Sequence, residues 1–301
     1  MGLLGLAVVT DVVISKNLQK SAWRMLIGWN EIYSGDLQSN VVIVGNSRAW
    51  VHYNPDVLDS ILNINSYNLG MDGSAIDRQI LKYDAYRRIY GNPKLIIQNI
   101  DIATMGMSSG YEREQFFPYF FDDSLRTAIS EYEKISIFEQ YLPAYRYSGY
   151  TKLILVGIGQ RRELWGRDKE YDLTKGYFGM DKNWDGSALK KLTEVNYLQD
   201  SLALRLFDKY LEKVYSQNIR VVFVYAPLYI GAIEKIKNIE GIYQMYDSIA
   251  RKYNVPIFDY TYDPISYDTT YFYNAMHLNK KGAELFSAKL ARDIDSIGIL
   301  E

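Results

Sequence analysis

The sequence predicts a three-layer α/β/α fold, in which a five-stranded parallel sheet lies between two layers of helices and carries a helical insertion. Three observations lead to this prediction. Short apolar, β-branched runs such as Val41–Val44 are typical of parallel strands that are buried on both faces. Stretches with helical periodicity separate these runs, and Gly or Pro residues end several of them. Strands that alternate with helices form a parallel sheet through right-handed crossovers.

The predicted elements alternate along most of the chain. We expect strands at residues 41–44, 66–70, 94–100, 220–225 and 256–260. We expect helices at residues 55–62, 76–90 and 194–217, and a last helix after Gly282. The middle helix ends at Gly91-Asn92-Pro93, a sequence that cannot continue a helix. The order of elements indicates a flavodoxin-like, doubly wound sheet.

A long segment between the third and fourth strands does not follow this alternation. It contains Tyr-rich helical pieces and a Gly-rich loop from Gly176 to Gly186. A structureless loop of that length is rare in a compact domain. We therefore expect a single domain over residues 1–301, with residues 103–193 forming a helical cap beside the active-site face.

Composition excludes several classes of function. The chain has 34 Lys plus Arg against 36 Asp plus Glu, so it lacks the positive field that gathers nucleic acid. The absence of cysteine excludes disulfides and thiolate metal sites. With His52 and His277 as the two histidines, a multi-histidine metal site cannot be built. We expect no metal, no cofactor and no nucleic-acid partner.

The N-terminal segment allows two interpretations. Residues 3–9 are apolar, Asp11 interrupts the stretch, and Lys16 and Lys20 close it. It is shorter than the roughly 20 apolar residues that span a bilayer. It is either a first helix that lies on the domain or the end of a signal peptide or membrane anchor.

Ser47 follows the first strand in Gly45-Asn46-Ser47. Ligands of parallel sheets bind at the carboxyl ends of the strands, where helix N-termini favour developing negative charge. A serine at this place can be a nucleophile whose own N–H stabilises the oxyanion. A small polar residue after a strand is more commonly a helix cap, so Ser47 alone does not decide between these roles.

The position of His277 favours the role of nucleophile for Ser47. His277 lies in a loop after the last predicted strand, directly before an apolar-periodic helix. A lone histidine there commonly caps or packs against the helix. The loop, however, belongs to the same carboxyl edge of the sheet as Ser47, where an imidazole with a pKa near neutrality can act as general base.

Three segments resemble the SGNH/GDSL hydrolases, particularly a bacterial branch with GNSR in the first block. They are Val41 to Arg48, Asn68 to Gly73, and Asn274 to Asn279. The resemblance covers residues 38–101 and 218–296 and leaves out the insertion. It implies the three-layer fold already predicted, together with hydrolysis of an ester through a serine nucleophile.

The resemblance also assigns roles to residues. It makes Ser47 the nucleophile and His277 the base, and it makes position 274 the acidic partner of that base. The second-block glycine, which lends its N–H to the oxyanion hole, corresponds to Gly73 rather than Gly70.

Position 274 departs from the family because it holds Asn rather than Asp. In a serine-protease triad the equivalent change lowers kcat by about 10⁴, because it leaves the imidazole in the wrong tautomer. Three interpretations stay open. The protein is weakened or non-hydrolytic, a backbone carbonyl orients the base, or a carboxylate from Asp259, Asp263 or Asp268 replaces the missing one.

The third block departs as well. The family has G-x-N-D where this chain has Gln98-Asn99-Ile100-Asp101. Asn99 is a candidate donor to the oxyanion, although strand alternation does not fix the direction of its side chain. Asp101 is a second candidate for this edge of the site.

Arg48, next to Ser47, also allows two interpretations. It binds a carboxylate or phosphate of the substrate, or it is a structural ion-pair partner. The second is the commoner role for an arginine in the first turn of a helix.

From these residues we expect an esterase that acts on a small acyl ester, for instance an acetyl group on carbohydrate, through an acyl-Ser47 intermediate. The alternatives are an envelope polysaccharide O-acyltransferase and a catalytically weak binding protein, which Asn274 favours. A cell-envelope, periplasmic or secreted location with N-terminal membrane association agrees with the apolar start, and a cytoplasmic location is the alternative.

Overall fold

The computed structural model describes residues 2–106, 113–132, 134–159, 171–186, 189 and 192–301. The chain divides into two compact units. The helical unit comprises Met1–Asp36 and Ser109–Lys169, and the sheet unit comprises Leu37–Ser108 and Glu170–Glu301. Parts of the predicted cap, residues 107–112, 133, 160–170, 187–188 and 190–191, lie outside the described residues.

Twelve α-helices lie in the described residues. They are α1 (Gly2–Leu18), α2 (Arg24–Ser34), α3 (Ser47–His52), α4 (Pro55–Leu62), α5 (Ile76–Tyr90), α6 (Asp123–Tyr132), α7 (Ile137–Tyr141), α8 (Thr151–Gly157), α9 (Ser201–Ser216), α10 (Ile230–Ile233), α11 (Ile239–Tyr253) and α12 (Lys280–Ser296). The strands of the same residues are β1 (Val41–Val44), β2 (Ser66–Asn68), β3 (Leu95–Asn99), β4 (Tyr171–Thr174), β5 (Tyr177–Met180), β6 (Arg220–Tyr225), β7 (Ile257–Asp259), β8 (Phe272–Asn274) and β9 (His277–Leu278).

The sheet unit is built on a five-stranded sheet in the order β2-β1-β3-β6-β7. All of its pairings are parallel. Counted within the sheet, the strands have the order 2-1-3-4-5, which is that of flavodoxin-like folds. The predicted fold class is therefore confirmed. The central strands β1 and β3 are buried along their whole length, as the apolar runs predict.

Helices cover both faces of the sheet. On one face α12 packs against α3 and α4, and Phe286 of α12 meets the ring of Tyr53 at 5.1 Å. On the other face α5 packs against α9, and Phe207 of α9 stacks on Phe223 of β6 at 5.7 Å. These two layers cover the faces of the sheet. Its carboxyl edge is formed by the loops that follow β1 and β3.

The predicted long helix at 194–217 is shorter than expected. Helix α9 begins at Ser201, because the carboxylate of Asp200 accepts hydrogen bonds from the N–H groups of Leu202 and Ala203. Such a side chain is a strong start signal for a helix. Upstream, Val195 forms a parallel bridge with Ile236 instead of a helical turn.

The hairpin β4–β5 belongs to the sheet unit, and its second strand lies in the predicted Gly-rich loop. Phe178 of β5 stacks on Trp50 of α3, with 4.5 Å between the ring centroids. Gly176 forms the turn with φ of +77°, a conformation that favours glycine. This hairpin lies inside the range that the sequence assigned to the cap.

The helical unit joins the N-terminal residues to the insertion. Helix α1 packs against α8, and Ser15 shares a hydrogen bond of 2.7 Å with Tyr147. Asp11, which interrupts the apolar start, forms an ion pair of 2.6 Å with Arg146. Among the described residues, no helix combines the length and apolar character that crossing a bilayer requires. The relation of this unit to the active-site face stays a prediction.

Two glycines let α3 lie close to its neighbours in the sheet unit. A Cβ at Gly45 would lie 2.6 Å from Cβ of Ala49 and 2.8 Å from Cβ of Asn99. A Cβ at Gly70 would overlap the backbone nitrogen of Trp50. Both contacts are shorter than packed carbon atoms allow, so only glycine fits at these positions.

We predict that Gly70→Ala destabilises the protein by about 2 kcal/mol or more, because the clash is with backbone and forces α3 away. Gly241→Ala is the matched control. Gly241 lies exposed in α11, where an added Cβ meets nothing within 4 Å, and alanine there stabilises a helix by about 0.5–1 kcal/mol. Urea denaturation measures both changes. An equal effect of the two substitutions would contradict the close approach of α3.

Candidate active site

Ser47 is the first residue of α3, directly beyond the carboxyl end of β1. Asn46 precedes it as the N-cap, and its Oδ1 accepts a hydrogen bond of 3.0 Å from the N–H of Arg48. Of the two roles weighed for Ser47, the helix cap therefore belongs to its neighbour, and the role of nucleophile stays a prediction. Asn46 caps the helix, and the half-buried hydroxyl of Ser47 is left for another partner.

That partner is His277. His277 lies in β9, which pairs antiparallel with β8 so that Asn274 is opposite His277. The Nε2 atom of His277 is 2.8 Å from Oγ of Ser47. The two residues are 230 positions apart in sequence, and the topology of the sheet brings them to one edge, as the sequence analysis expects.

Asn274 fixes the tautomer of His277. Its Oδ1 lies 3.1 Å from Nδ1 of His277 and accepts a second hydrogen bond of 2.8 Å from the N–H of Met276. A backbone N–H can only donate, so the amide atom between these groups is the oxygen. Nδ1 must therefore carry the proton, and Nε2 presents its lone pair to the hydroxyl of Ser47.

The three aspartates considered as substitutes have other partners. Oδ1 of Asp259 accepts from the N–H of Thr261, and Oδ1 of Asp268 accepts from the N–H of Thr270, both at 2.8 Å. Asp263 caps the turn at Ile265 and binds Lys289. The position at Nδ1 belongs to the side chain of Asn274, and not to one of these carboxylates or to a backbone carbonyl.

The imidazole of His277 is neutral at physiological pH. Burial, reinforced by the positive charge of Arg48, lowers its pKa to about 4, and Asp101 opposes this shift. Tyr273 covers one face of the ring, with the two planes 7° apart and 5.4 Å between centroids. A neutral imidazole with a free Nε2 lone pair is the form that a general base requires.

Arg48, the residue after Ser47, forms a buried ion pair with Asp101. The other oxygen of Asp101 accepts a hydrogen bond of 3.0 Å from the N–H of Ala103. Burial alone would raise the pKa of Asp101, but the Arg48 guanidinium and the hydrogen bonds hold it below its ordinary value. Arg48 is thus a structural ion-pair partner, and Asp101 lies at the expected edge with both oxygens occupied. A role of Asp101 in substrate binding stays a prediction.

Asn99 lies under the nucleophile turn, close to Gly45. Its Oδ1 accepts a hydrogen bond of 2.8 Å from the hydroxyl of Tyr53. This bond fixes the amide, and its buried Nδ2 has no hydrogen-bond partner among the described residues. Such an unused donor is a candidate for stabilising an oxyanion.

Gly73 lies in the turn after β2, exposed and with φ of +60°. The turn is tied to the nucleophile segment, since the N–H of Met71 donates to the carbonyl of Gly45 at 3.2 Å. The N–H of Gly70 is bound by Oδ1 of Asn68 at 2.8 Å, which leaves Gly73 as the better candidate of the two. Its contact with an oxyanion stays a prediction.

The chain has detectable similarity to solved structures. A protein named for the G-D-S-L family from Desulfitobacterium hafniense is 13% identical with a TM-score of 0.44, and the match covers 85% of this chain and 99% of that one. A GDSL-like lipase from Bacteroides thetaiotaomicron is 11% identical with a TM-score of 0.44, covering 91% and 99%. An acetyl xylan esterase is 11% identical with a TM-score of 0.43, covering 85% and 98%.

This chain is similar to GDSL and SGNH hydrolases. No family model and no curated protein sequence matches it. The identities are too low for residue roles to be carried over from these structures, so the roles proposed below depend on the geometry of this site.

Two residues of the site were missed by the sequence analysis. His52 and Tyr53 lie at the end of α3, and their side chains bind the N–H of Leu278 and the amide of Asn99. No sequence motif marks these two residues, because the groups that they bind are distant in sequence. The signal that could have found His52 is its membership in the same short segment as the nucleophile.

We predict that Asn274→Asp raises the pKa of His277 by about one unit or more, because a carboxylate at Nδ1 stabilises the imidazolium. NMR titration of the ring protons measures this shift. Burial, reinforced by His277 and Arg48, also lowers the pKa of His52 well below its ordinary value, so the ring signals are first assigned with a His52→Gln variant. Wild type should titrate near pH 4.

The matched control is Asn218→Asp. Asn218 is exposed at the amino end of β6, so the variant adds the same charge at the opposite edge of the sheet and should leave the pKa of His277 unchanged. A wild-type midpoint near 6.5, or equal shifts in both variants, would contradict the described environment of His277.

Proposed function

We propose that this chain is a serine esterase of the SGNH/GDSL type that cleaves small acyl esters through an acyl-Ser47 intermediate. One observation carries the proposal. Oγ of Ser47 lies 2.8 Å from Nε2 of a histidine whose other ring nitrogen faces a hydrogen-bond acceptor. A hydroxyl, a base within hydrogen-bond reach and a group that orients the base are the requirements for nucleophilic catalysis by serine.

In the acylation step, Oγ of Ser47 attacks the carbonyl carbon of the ester while its proton moves to Nε2 of His277. The electron pair of the carbonyl double bond moves to oxygen and forms an oxyanion. When that pair returns, the bond to the alcohol breaks and the alcohol leaves with the proton from Nε2. Water then attacks the acyl carbon and gives a proton to Nε2 of His277. As the second oxyanion collapses, the bond between that carbon and Oγ of Ser47 breaks, the proton passes from Nε2 to Oγ, and the carboxylic acid departs.

Two donors support stabilisation of the oxyanion. The N–H of Ser47 lies at the start of α3, where Asn46 has taken the N–H of Arg48. The unused Nδ2 of Asn99 lies beneath the same turn. Donors fixed in advance in a region of low dielectric are commonly the largest contribution to catalysis of acyl transfer.

Asn274 does not by itself favour the interpretation as a binding protein. An Asp-to-Asn change is severe in proteases because it leaves the wrong tautomer, whereas here the hydrogen bond from Met276 turns the amide oxygen toward Nδ1. The correct tautomer is kept and only the negative charge is lost. A neutral partner stabilises the imidazolium less than a carboxylate, so we propose a slow enzyme rather than an inactive one.

The crowding of His277 favours a small acyl group. The imidazole is half-buried and Tyr273 covers one of its faces, while Asn99 beneath the nucleophile turn is fully buried. We propose an acetyl group, with an alcohol such as a carbohydrate hydroxyl as the leaving group.

We predict that the protein hydrolyses p-nitrophenyl acetate faster than the octanoate ester, and that Ser47→Ala lowers kcat at least a thousandfold. The melting temperature should change little, because a half-buried hydroxyl contributes little to the core. Ser248→Ala is the matched control, since Ser248 is exposed on α11 and its loss should change neither quantity.

Hydrolysis that survives Ser47→Ala would contradict the proposal. The same assay separates the transferase alternative, because an added sugar acceptor would collect the acetyl group at the expense of free acetate. Equal acetate release with and without the sugar is the result that the esterase proposal requires.

A further inference from the structure

His52 is a buried histidine that the proposed reaction does not use. It is the last residue of α3, five positions after Ser47, and its side chain is inaccessible to solvent. Its Nε2 lies 3.0 Å from the backbone nitrogen of Leu278, the residue that follows the base. Because that backbone group can only donate, Nε2 of His52 is the acceptor and the proton of this ring lies on Nδ1.

The contact holds the outer edge of the strand that carries the base. Strand β9 consists of His277 and Leu278 and pairs on one side with β8. The N–H of Leu278 is bound instead by His52 on helix α3. Two consecutive residues of β9 are therefore attached to the two ends of one six-residue helix, His277 through Ser47 and Leu278 through His52.

Packing alone does not explain why a polar side chain occupies position 52, because burying it leaves one of its ring nitrogens without a hydrogen bond in the part of the chain that the structure describes. Nδ1 is buried and has no hydrogen-bond partner among the described residues. A buried donor without a partner is unfavourable, and an apolar side chain of similar volume would avoid it. The histidine supplies a hydrogen-bond acceptor for the N–H of Leu278, which an apolar side chain cannot do.

We propose that His52 is a positioning residue for the base, holding β9 so that Nε2 of His277 stays within reach of Ser47. This inference rests on the proposed function. Without His52, the Ser47 hydrogen bond and the packing of Leu278 would hold β9 against α3, and packing alone fixes a position less sharply than a directional hydrogen bond. The hydrogen bond between His52 and Leu278 fixes the distance of β9 from α3. Displacement of a catalytic group by about 1 Å can lower the rate a hundredfold. We therefore expect loss of the hydrogen bond between His52 and Leu278 to affect kcat more than substrate binding.

Two variants of His52 test the proposal. His52→Leu removes the acceptor and keeps an apolar side chain of similar size, while His52→Gln restores an acceptor oxygen near the position of Nε2. We expect His52→Leu to lower kcat for p-nitrophenyl acetate by about tenfold to a hundredfold with little change in KM. His52→Gln should recover most of the loss.

Ser287→Ala is the matched control. Ser287 is equally buried, and its hydroxyl binds the carbonyl of His52 and the N–H of Asn54, so its loss disturbs the same end of α3 without touching β9. It should lower the melting temperature and leave kcat nearly unchanged. The proposal is overturned if kcat falls in proportion to the melting temperature in all three variants, or if His52→Gln is as slow as His52→Leu.

A measurement that needs no activity separates this proposal from the proposed function. Nitrogen-15 NMR of the two imidazoles reports which ring nitrogen carries the proton. We expect the Nδ1–H tautomer for His52 in wild type, and an Nε2–H tautomer would overturn the proposal because that nitrogen could not accept from Leu278. If the tautomer is as expected but no ester is hydrolysed, the proposed function fails and the positioning role for catalysis falls with it, while the contact itself stands.

Discussion

The close approach of α3 to the sheet is the constraint on which the site depends. Gly45 and Gly70 have no Cβ, so the helix can lie against β3 and the turn after β2. This contact puts Ser47 at the carboxyl edge and brings the amide of Asn99 beneath it. The side chains of α3 and its neighbour Tyr53 then reach the other parts of the site: His277, Asp101, Leu278 and Asn99.

The orientation of the Asn274 amide decides which ring nitrogen of His277 carries the proton. In Asn274 a single oxygen serves both the N–H of Met276 and the N–H of His277 Nδ1. The backbone donor makes the other amide orientation unfavourable, so the tautomer of the base follows from local geometry and needs no carboxylate. A carboxylate at this position would add a negative charge. The low pKa of His277, about 4, is consistent with the absence of that charge. His277 is therefore held in the tautomer that a general base needs, with weak stabilisation of its protonated form.

Much of the five-stranded sheet could be predicted from the sequence, because β1, β3 and β6 are rich in Val, Ile or Leu and several helices begin or end at Asn, Pro or Gly. Pro55 and Gly91 mark such ends within one residue of their observed places. Ser47 and His277 could be found because the order of strands, turns and helices places them on one edge of the sheet. Asn274 could be found through the resemblance of its segment to the last block of the family.

Apart from the pair Ser47 and His277, contacts between distant segments could not be predicted. His52 acquires its role from Leu278, more than two hundred residues away, and Asn99 acquires a fixed amide from Tyr53. The start of α9 depended on recognising Asp200 as its cap. The N-terminal helix α1 packs with α8 of the insertion, a pairing for which neither segment carries a signal.

The most direct test of the central claim is the rate at which a fluorophosphonate probe forms an adduct, with the modified residue located by mass spectrometry. We expect wild type to be labelled at Ser47 and His277→Ala to slow labelling at least a hundredfold, because the hydroxyl is then without its proposed base. Labelling at another residue, or labelling of Ser47 at the same rate without His277, would contradict the claim that these two side chains act as nucleophile and base.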